Sequence, residues 1–196
     1  MLSFLLELVP SLLVGFWLGG QQPELSTRLA RPLVRFGVPL SVMGLLLRGG
    51  LTSAVLKAAV VAPVVVSLWL VLVSIESAGN PHRSSALRLG SCVGNTAYVG
   101  VPLALSFLPE TALPITIGYD IGATLFTWSV GAVMLAGGSL QSSSLLRGAA
   151  QGLLLSPASR GLLGALLVQW TPWNESLADA LWWPSRLVLI LALFVV

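Results

Sequence analysis

Charged side chains are scarce in this sequence. Aspartate, glutamate, lysine and arginine together make up 9% of its 196 residues, whereas a soluble domain carries roughly 25%. Hydrophobic residues make up 56%, and the mean hydropathy is +0.92. The net charge of +3 comes from scattered basic residues, which argues against nucleic acid as a partner. The composition predicts an integral membrane protein whose surroundings are a lipid bilayer.

Reactive side chains are scarce as well. Cys92 is the single cysteine, which excludes an internal disulfide framework. His82 is the single histidine and has no cysteine or carboxylate companions in sequence, so no metal site is predicted. The sequence has no phosphate-binding glycine loop, which argues against ATP-driven transport, and no cofactor is expected. It also lacks the clustered polar residues of an enzyme. A non-transporting scaffold or an intramembrane enzyme is the alternative to a transporter.

The apolar runs predict an all-α membrane protein with about seven transmembrane helices, since each span needs about 20 residues. Glu7 interrupts the first run and no basic segment precedes it, so we interpret this run as a retained span and not a signal peptide. A short interfacial helix is expected over residues 145–155. The predicted spans cover residues 2–18, 33–47, 54–75, 86–108, 113–135, 160–170 and 181–196.

The fourth run has the wrong chemistry for a simple spanning helix. Pro102 removes a backbone donor and clashes with the preceding turn, while Gly94 and Gly100 loosen the backbone. Such a break is tolerated where the backbone is buried in protein or lines a wet cavity, as in secondary transporters. We therefore predict an interruption between Asn95 and Pro102. Polar side chains at the same depth accompany it: Asn95, Thr96 and Tyr98.

Arginine is distributed unevenly between alternate loops. The positive-inside rule places the arginine-rich loops in the cytoplasm, which puts Glu110 and the N-terminus outside. The loops assigned to the cytoplasm contain Arg28, Arg31, Arg83, Arg88, Arg147 and Arg160.

The chain also resembles itself. Residues 11–18 resemble residues 161–168, and residues 38–47 resemble 183–192, with Pro39 and Pro184 matched. Five spans separate each pair, so the second copy is inverted, as in many transporters. This predicts a first five-helix repeat over residues 1–137, a cytoplasmic linker over 138–156, and an incomplete second repeat over 157–196. The chain then corresponds to about seven helices of a ten-helix inverted-repeat fold.

Four short motifs carry a resemblance to a known family. The sequence around Asn95–Pro102, with Gly90–Gly94 before it, resembles the auxin efflux carrier family of membrane transporters. Gly118–Trp128 and the segment from Ser156-Pro157 to Gly161–Gly164 add to the likeness. The prokaryotic members are relatives of the plant auxin carriers and share a superfamily with bile acid–sodium symporters. The likeness covers essentially the whole chain. Helices 8 to 10 of the family have no counterpart in this sequence.

The resemblance implies two inverted repeats whose broken helices 4 and 9 cross at the substrate site, in a bacterial plasma (inner) membrane. The expected function is secondary-active transport of a small organic anion, with a carboxylate the expected substrate group. Proton or sodium coupling and a homodimer are further expectations. The candidate substrate-binding residues are Asn95, Thr96, Tyr98, Gly100 and Pro102.

Three of these polar residues have alternative interpretations. Tyr98 either lines the cavity or faces a neighbouring helix. Asn95 either contacts the substrate carboxylate, caps the second half-helix, or only joins neighbouring helices by a hydrogen bond. Asp120 is the candidate for proton or cation coupling, because an intramembrane carboxylate is costly and usually functional. Its alternative is simple hydration near the membrane surface.

Overall fold

The structure is a computed structural model that describes residues 2–76, 84–135 and 142–195. Within these ranges it is all-helical, with 91% helix and no strand, which confirms the predicted all-α class. His82 and Arg83 lie outside the described residues.

Eleven α-helices are described in chain order. Three five-residue π-helical turns, Leu33–Gly37, Thr96–Gly100 and Thr127–Gly131, each lead directly into the α-helix that follows. The α-helices are α1 (Leu2–Gln21), α2 (Pro23–Pro32), α3 (Val38–Gly49), α4 (Ser53–Glu76), α5 (Ser85–Cys92), α6 (Val101–Phe107), α7 (Leu113–Phe126), α8 (Ala132–Leu135), α9 (Ser142–Leu155), α10 (Pro157–Gln169) and α11 (Asn174–Val195).

Three helical stretches in the described residues are long and apolar enough to cross a membrane. They are Glu24–Gly49, which joins α2 and α3 through a π-helical turn, Ser53–Glu76 and Asn174–Val195. α4 buries only a narrow stripe that includes Val55 and Ala62, while most of its other large apolar side chains are exposed. An exposed apolar surface of this kind is typical of contact with lipid. The structure thus supports a membrane protein.

α4 and α7 pack closely because small residues allow their backbones to approach. A Cβ atom added to Gly118 would collide with the carbonyl of Val55, and one added to Gly122 would collide with that of Ala59. The Gly118-x-x-x-Gly122 pattern therefore does what such a pattern does in membrane helices. The Gly90-x-x-x-Gly94 pattern does not, since neither glycine has a neighbour within 4 Å of an added Cβ.

α3 lies at the centre of the bundle and packs against α7, α10 and α11. Leu46 of α3 and Leu189 of α11 are fully buried in the apolar core between these helices. Gly161 lets α10 approach the carbonyl of Pro39, and Gly44 lets α3 approach Ser185. This arrangement packs the C-terminal helices α10 and α11 against α3.

The structure also shows the start of the last helix and the helix that follows the fifth predicted span. The last helix begins at Asn174 and not near Leu181, because the polar segment before the apolar run is helical too. Glu175 lies in its first turn, where a negative charge is favourable, and Ala178 is buried. The helix expected over residues 145–155 is present as part of α9.

Candidate functional site

The helix expected to be broken is interrupted, but at a different place. Residues 93–95 are not helical: Val93 is extended, with φ −107° and ψ 112°, and Asn95 has φ −77° and ψ 76°. The chain is helical again from Thr96 to Phe107. The prediction of a break between Asn95 and Pro102 is therefore wrong in position, because the break precedes Thr96 and Pro102 lies inside the resumed helix.

The π-helical turn explains why Pro102 does not break the chain. The Gly100 N–H donates to the Asn95 carbonyl, five residues earlier, at 3.1 Å. This wider turn ends two residues before Pro102. In a regular α-helix the ring of Pro102 would crowd the carbonyl of Tyr98, four residues earlier. Pro102 is itself fully buried.

Asn95 caps the second half of the broken helix. Its side-chain oxygen accepts a hydrogen bond from the backbone N–H of Tyr98 at 3.1 Å, which is the geometry of an N-cap. Because this bond engages the oxygen, the two amide hydrogens on Nδ2 stay available. The Asn95 side chain is exposed, so the amide is accessible to a ligand.

Thr96 and Asp120 join the broken helix to α7. The Thr96 hydroxyl donates to the Asp120 carboxylate at 2.6 Å, and Asp120 is only 6% exposed. Asp120 is therefore a buried carboxylate and not one hydrated at a surface. Burying such a group without a compensating charge is costly, and neither of the ion pairs in the described structure involves it.

A cavity of about 210 Å³ opens at the break. Of the candidate substrate-binding residues, Asn95, Thr96 and Tyr98 line it, whereas Gly100 and Pro102 do not. Gly100 ends the π-helical turn and Pro102 lies in α6. The remaining lining residues are Val34, Val38, Val93, Gly94, Ala97, Ala123, Thr124, Thr127, Trp128 and Pro157.

All three π-helical turns contribute to this one cavity. Val34 comes from the first turn, Tyr98 from the second and Trp128 from the third. π-Helical turns are rare and are found frequently at functional sites. Sequence reasoning missed this convergence, although a signal existed. Each of the first two turns ends at the glycine of a Gly-Val-Pro sequence, at residues 37–39 and 100–102.

The cavity presents unequal groups at its wall. Tyr98 lines the cavity, and its hydroxyl, a hydrogen-bond donor, is buried with no partner among the described residues. The Asn95 amide is a second donor, and Trp128 supplies apolar surface. Such an arrangement accommodates a small molecule with one polar and one apolar end. Within the described ranges, no group of three metal-ligating side chains is present.

Comparison with known proteins gave no further information on this site. No family model matches the chain, and neither the comparison with curated proteins nor the comparison with solved structures found a match.

Proposed function

We propose that this chain is a secondary-active transporter for a small organic anion, working by alternating access. The observation that carries the proposal is the interrupted helix at residues 93–95, which opens on a cavity lined by Tyr98, whose buried hydroxyl has no hydrogen-bond partner in the described part of the chain. A helix that restarts beside a cavity directs the positive end of its dipole toward an anion. The Asn95 amide adds a second donor for a carboxylate.

We further propose that the fold is the ten-helix inverted repeat of the auxin efflux carrier family, with a first repeat over residues 1–137 and an incomplete second repeat over residues 157–196. If the predicted spans 1 and 2 correspond to spans 6 and 7, a contact between spans 1 and 7 should have a counterpart between spans 2 and 6. α1 packs on α11, and α3 packs on α10, which supports this exchange. An inverted repeat favours alternating access because its two halves can exchange conformations around a fixed site.

Cation coupling follows from the charge of the site. A carboxylate ligand in the cavity would lie near the buried Asp120, whose hydroxyl partner Thr96 is itself in the cavity wall. Two carboxylates in a site of low dielectric repel each other strongly. A proton on Asp120, or a sodium ion beside it, removes that repulsion. Anion binding and cation binding would then be linked.

A vesicle uptake measurement tests the proposed function. The chain, reconstituted in liposomes with an imposed proton or sodium gradient, is expected to take up radiolabelled indole-3-acetate or benzoate in a saturable way. Tyr98→Phe, which removes only the unpartnered hydroxyl, should reduce that uptake. Uptake equal to that of protein-free liposomes under every gradient would refute the transporter proposal for these aromatic carboxylates.

Asp120→Asn is expected to separate substrate movement from its driving gradient. The asparagine can still accept the Thr96 hydrogen bond, so the local geometry is kept, but it cannot take up a proton or balance a sodium ion. Gradient-driven accumulation should fall to the diffusive level while exchange of labelled for unlabelled substrate continues. Asp179→Asn is the matched control, because Asp179 is exposed and paired with Arg48 at 2.7 Å. Unchanged gradient-driven accumulation in Asp120→Asn would contradict the coupling role.

The proposed orientation in a bacterial plasma (inner) membrane also has a direct test. In a Cys92→Ala background, single cysteines at positions 31 and 147 should be protected from a membrane-impermeant maleimide in whole cells. A cysteine at position 110 should react, because the arginine bias puts that turn outside. Labelling at 31 and 147 with protection at 110 would reverse the topology.

A further inference from the structure

Three arginines from two separate segments line one cavity of about 650 Å³. Arg31 lies on α2, Arg35 on the π-helical turn that follows it, and Arg160 on the first part of α10. All three side chains are exposed. The rest of the wall is apolar and consists of Ala30, Val34 and Pro157.

No acidic side chain is among the described residues that line this arginine cavity. The ion pairs in the described part of the chain are Arg28–Glu24 and Arg48–Asp179, and neither includes a member of the cluster. Arg160 donates to the Leu155 carbonyl at 3.4 Å, which occupies one of its five N–H groups. Three positive charges around one apolar-walled cavity repel each other, and a bound anion would relieve that repulsion.

The depth of the cluster indicates where the anion comes from. α2 has a strongly polar face, whereas α3 is apolar, so the boundary between water and lipid lies near Leu33. Arg31 and Arg35 stand two residues on either side of Leu33. Arg160 is the first residue of the predicted sixth span. All three therefore lie at the depth of lipid headgroups, where basic pockets between helices bind anionic lipids.

We infer that the arginine cavity binds the phosphate group of an anionic phospholipid. A guanidinium fork matches the geometry of phosphate oxygens. The positive end of α10, whose N-cap is Ser156, adds to the attraction. Val34 and Pro157 provide an apolar wall for the glycerol and the first acyl carbons. The same two residues also line the cavity at the helix break, so a bound lipid would lie beside the substrate site.

The inference does not depend on transport and is tested by lipid binding alone. The purified chain in detergent is titrated with phosphatidylglycerol or phosphatidylcholine, and retained lipid is counted by native mass spectrometry. Phosphatidylglycerol is expected to bind more tightly. Arg31→Gln and Arg160→Gln should each weaken that binding about fivefold, the loss expected for one interfacial arginine. Because both side chains are exposed, these variants should fold. Arg31→Lys keeps the charge but loses the guanidinium fork, so its affinity for phosphatidylglycerol measures the contribution of the fork.

Arg28→Gln is the matched control, because Arg28 lies on the same helix but is paired with Glu24 at 2.8 Å. It should bind phosphatidylglycerol as the unsubstituted chain does. Equal binding of the two lipids, or an equal loss in Arg28→Gln, would overturn the inference and leave general surface charge as the explanation. Displacement of the lipid by millimolar inorganic phosphate or benzoate would instead identify a site for soluble anions, and would also overturn it.

Discussion

Asn95→Asp is expected to weaken carboxylate binding by about ten- to a hundredfold, the loss of one hydrogen bond to a charged ligand. The aspartate keeps an oxygen that can accept the Tyr98 N–H, so the helix cap survives. It removes the Nδ2 donor and adds a negative charge that repels the ligand. Binding of labelled indole-3-acetate to the detergent-purified chain measures the loss, and the melting temperature of the same samples should stay near that of the parent chain.

Two companion variants separate binding from capping at this position. Asn95→Ala should lose both, with a cap contribution of about 1 kcal/mol. Ser84→Ala is the matched control, since Ser84 caps α5 through the Leu87 N–H at 3.3 Å and does not line the cavity. It should lose a comparable stability and bind normally. If Asn95→Asp binds the ligand as well as the parent chain does, Asn95 is a cap and not a ligand-binding residue.

Gly122→Leu is expected to cause a large loss of stability. Any side chain at this position enters the space of the Ala59 backbone, and backbone cannot rotate away as a side chain can. Overpacking of this kind costs typically about 1–3 kcal/mol, and we expect the upper end of that range. Thermal unfolding in detergent, followed by circular dichroism, should show a lower melting temperature and a smaller monodisperse fraction in size exclusion.

Gly90→Leu is the control for that substitution. Gly90 also belongs to a Gly-x-x-x-Gly pattern in a predicted span, but a Cβ at this position meets no atom of the described residues within 4 Å. Leucine has the better helix propensity, by about 1 kcal/mol, so Gly90→Leu should be neutral or stabilising. An unchanged melting temperature in Gly122→Leu would show that α4 and α7 do not approach as closely as the structure has them.

Local chemistry is what the sequence predicted well. Long apolar runs must form helices in lipid, because each backbone group needs a partner within the segment. The expected third span, residues 54–75, therefore differs from Ser53–Glu76 by one residue at each end. The count of seven spans remains a prediction, since the described residues include three helical stretches that are both long and apolar enough to cross a membrane. The inverted repeat is likewise untested.

The helix break illustrates how far such reasoning extends. Pro102, with its neighbouring glycines, correctly pointed to an irregular fourth segment. A proline reveals that the regular hydrogen-bond pattern must change, but not how. In the structure, residues Thr96–Gly100 form a π-helical turn, and the non-helical interruption lies at residues 93–95. That choice depends on what packs around the segment, and a single sequence does not contain this information.

Composition and the lengths of the apolar runs thus predicted the helical class and the membrane environment, because both follow from the solvation of each segment taken alone. Tertiary structure decided which residues meet. It brought Thr96 to Asp120, which is 24 positions away, and it assembled one cavity from three π-helical turns. It also distinguished Gly118 and Gly122, which touch α4, from Gly90 and Gly94, at which an added Cβ meets no described atom within 4 Å. The two glycine patterns are identical in spacing, and only the position of a neighbouring helix makes one of them a contact.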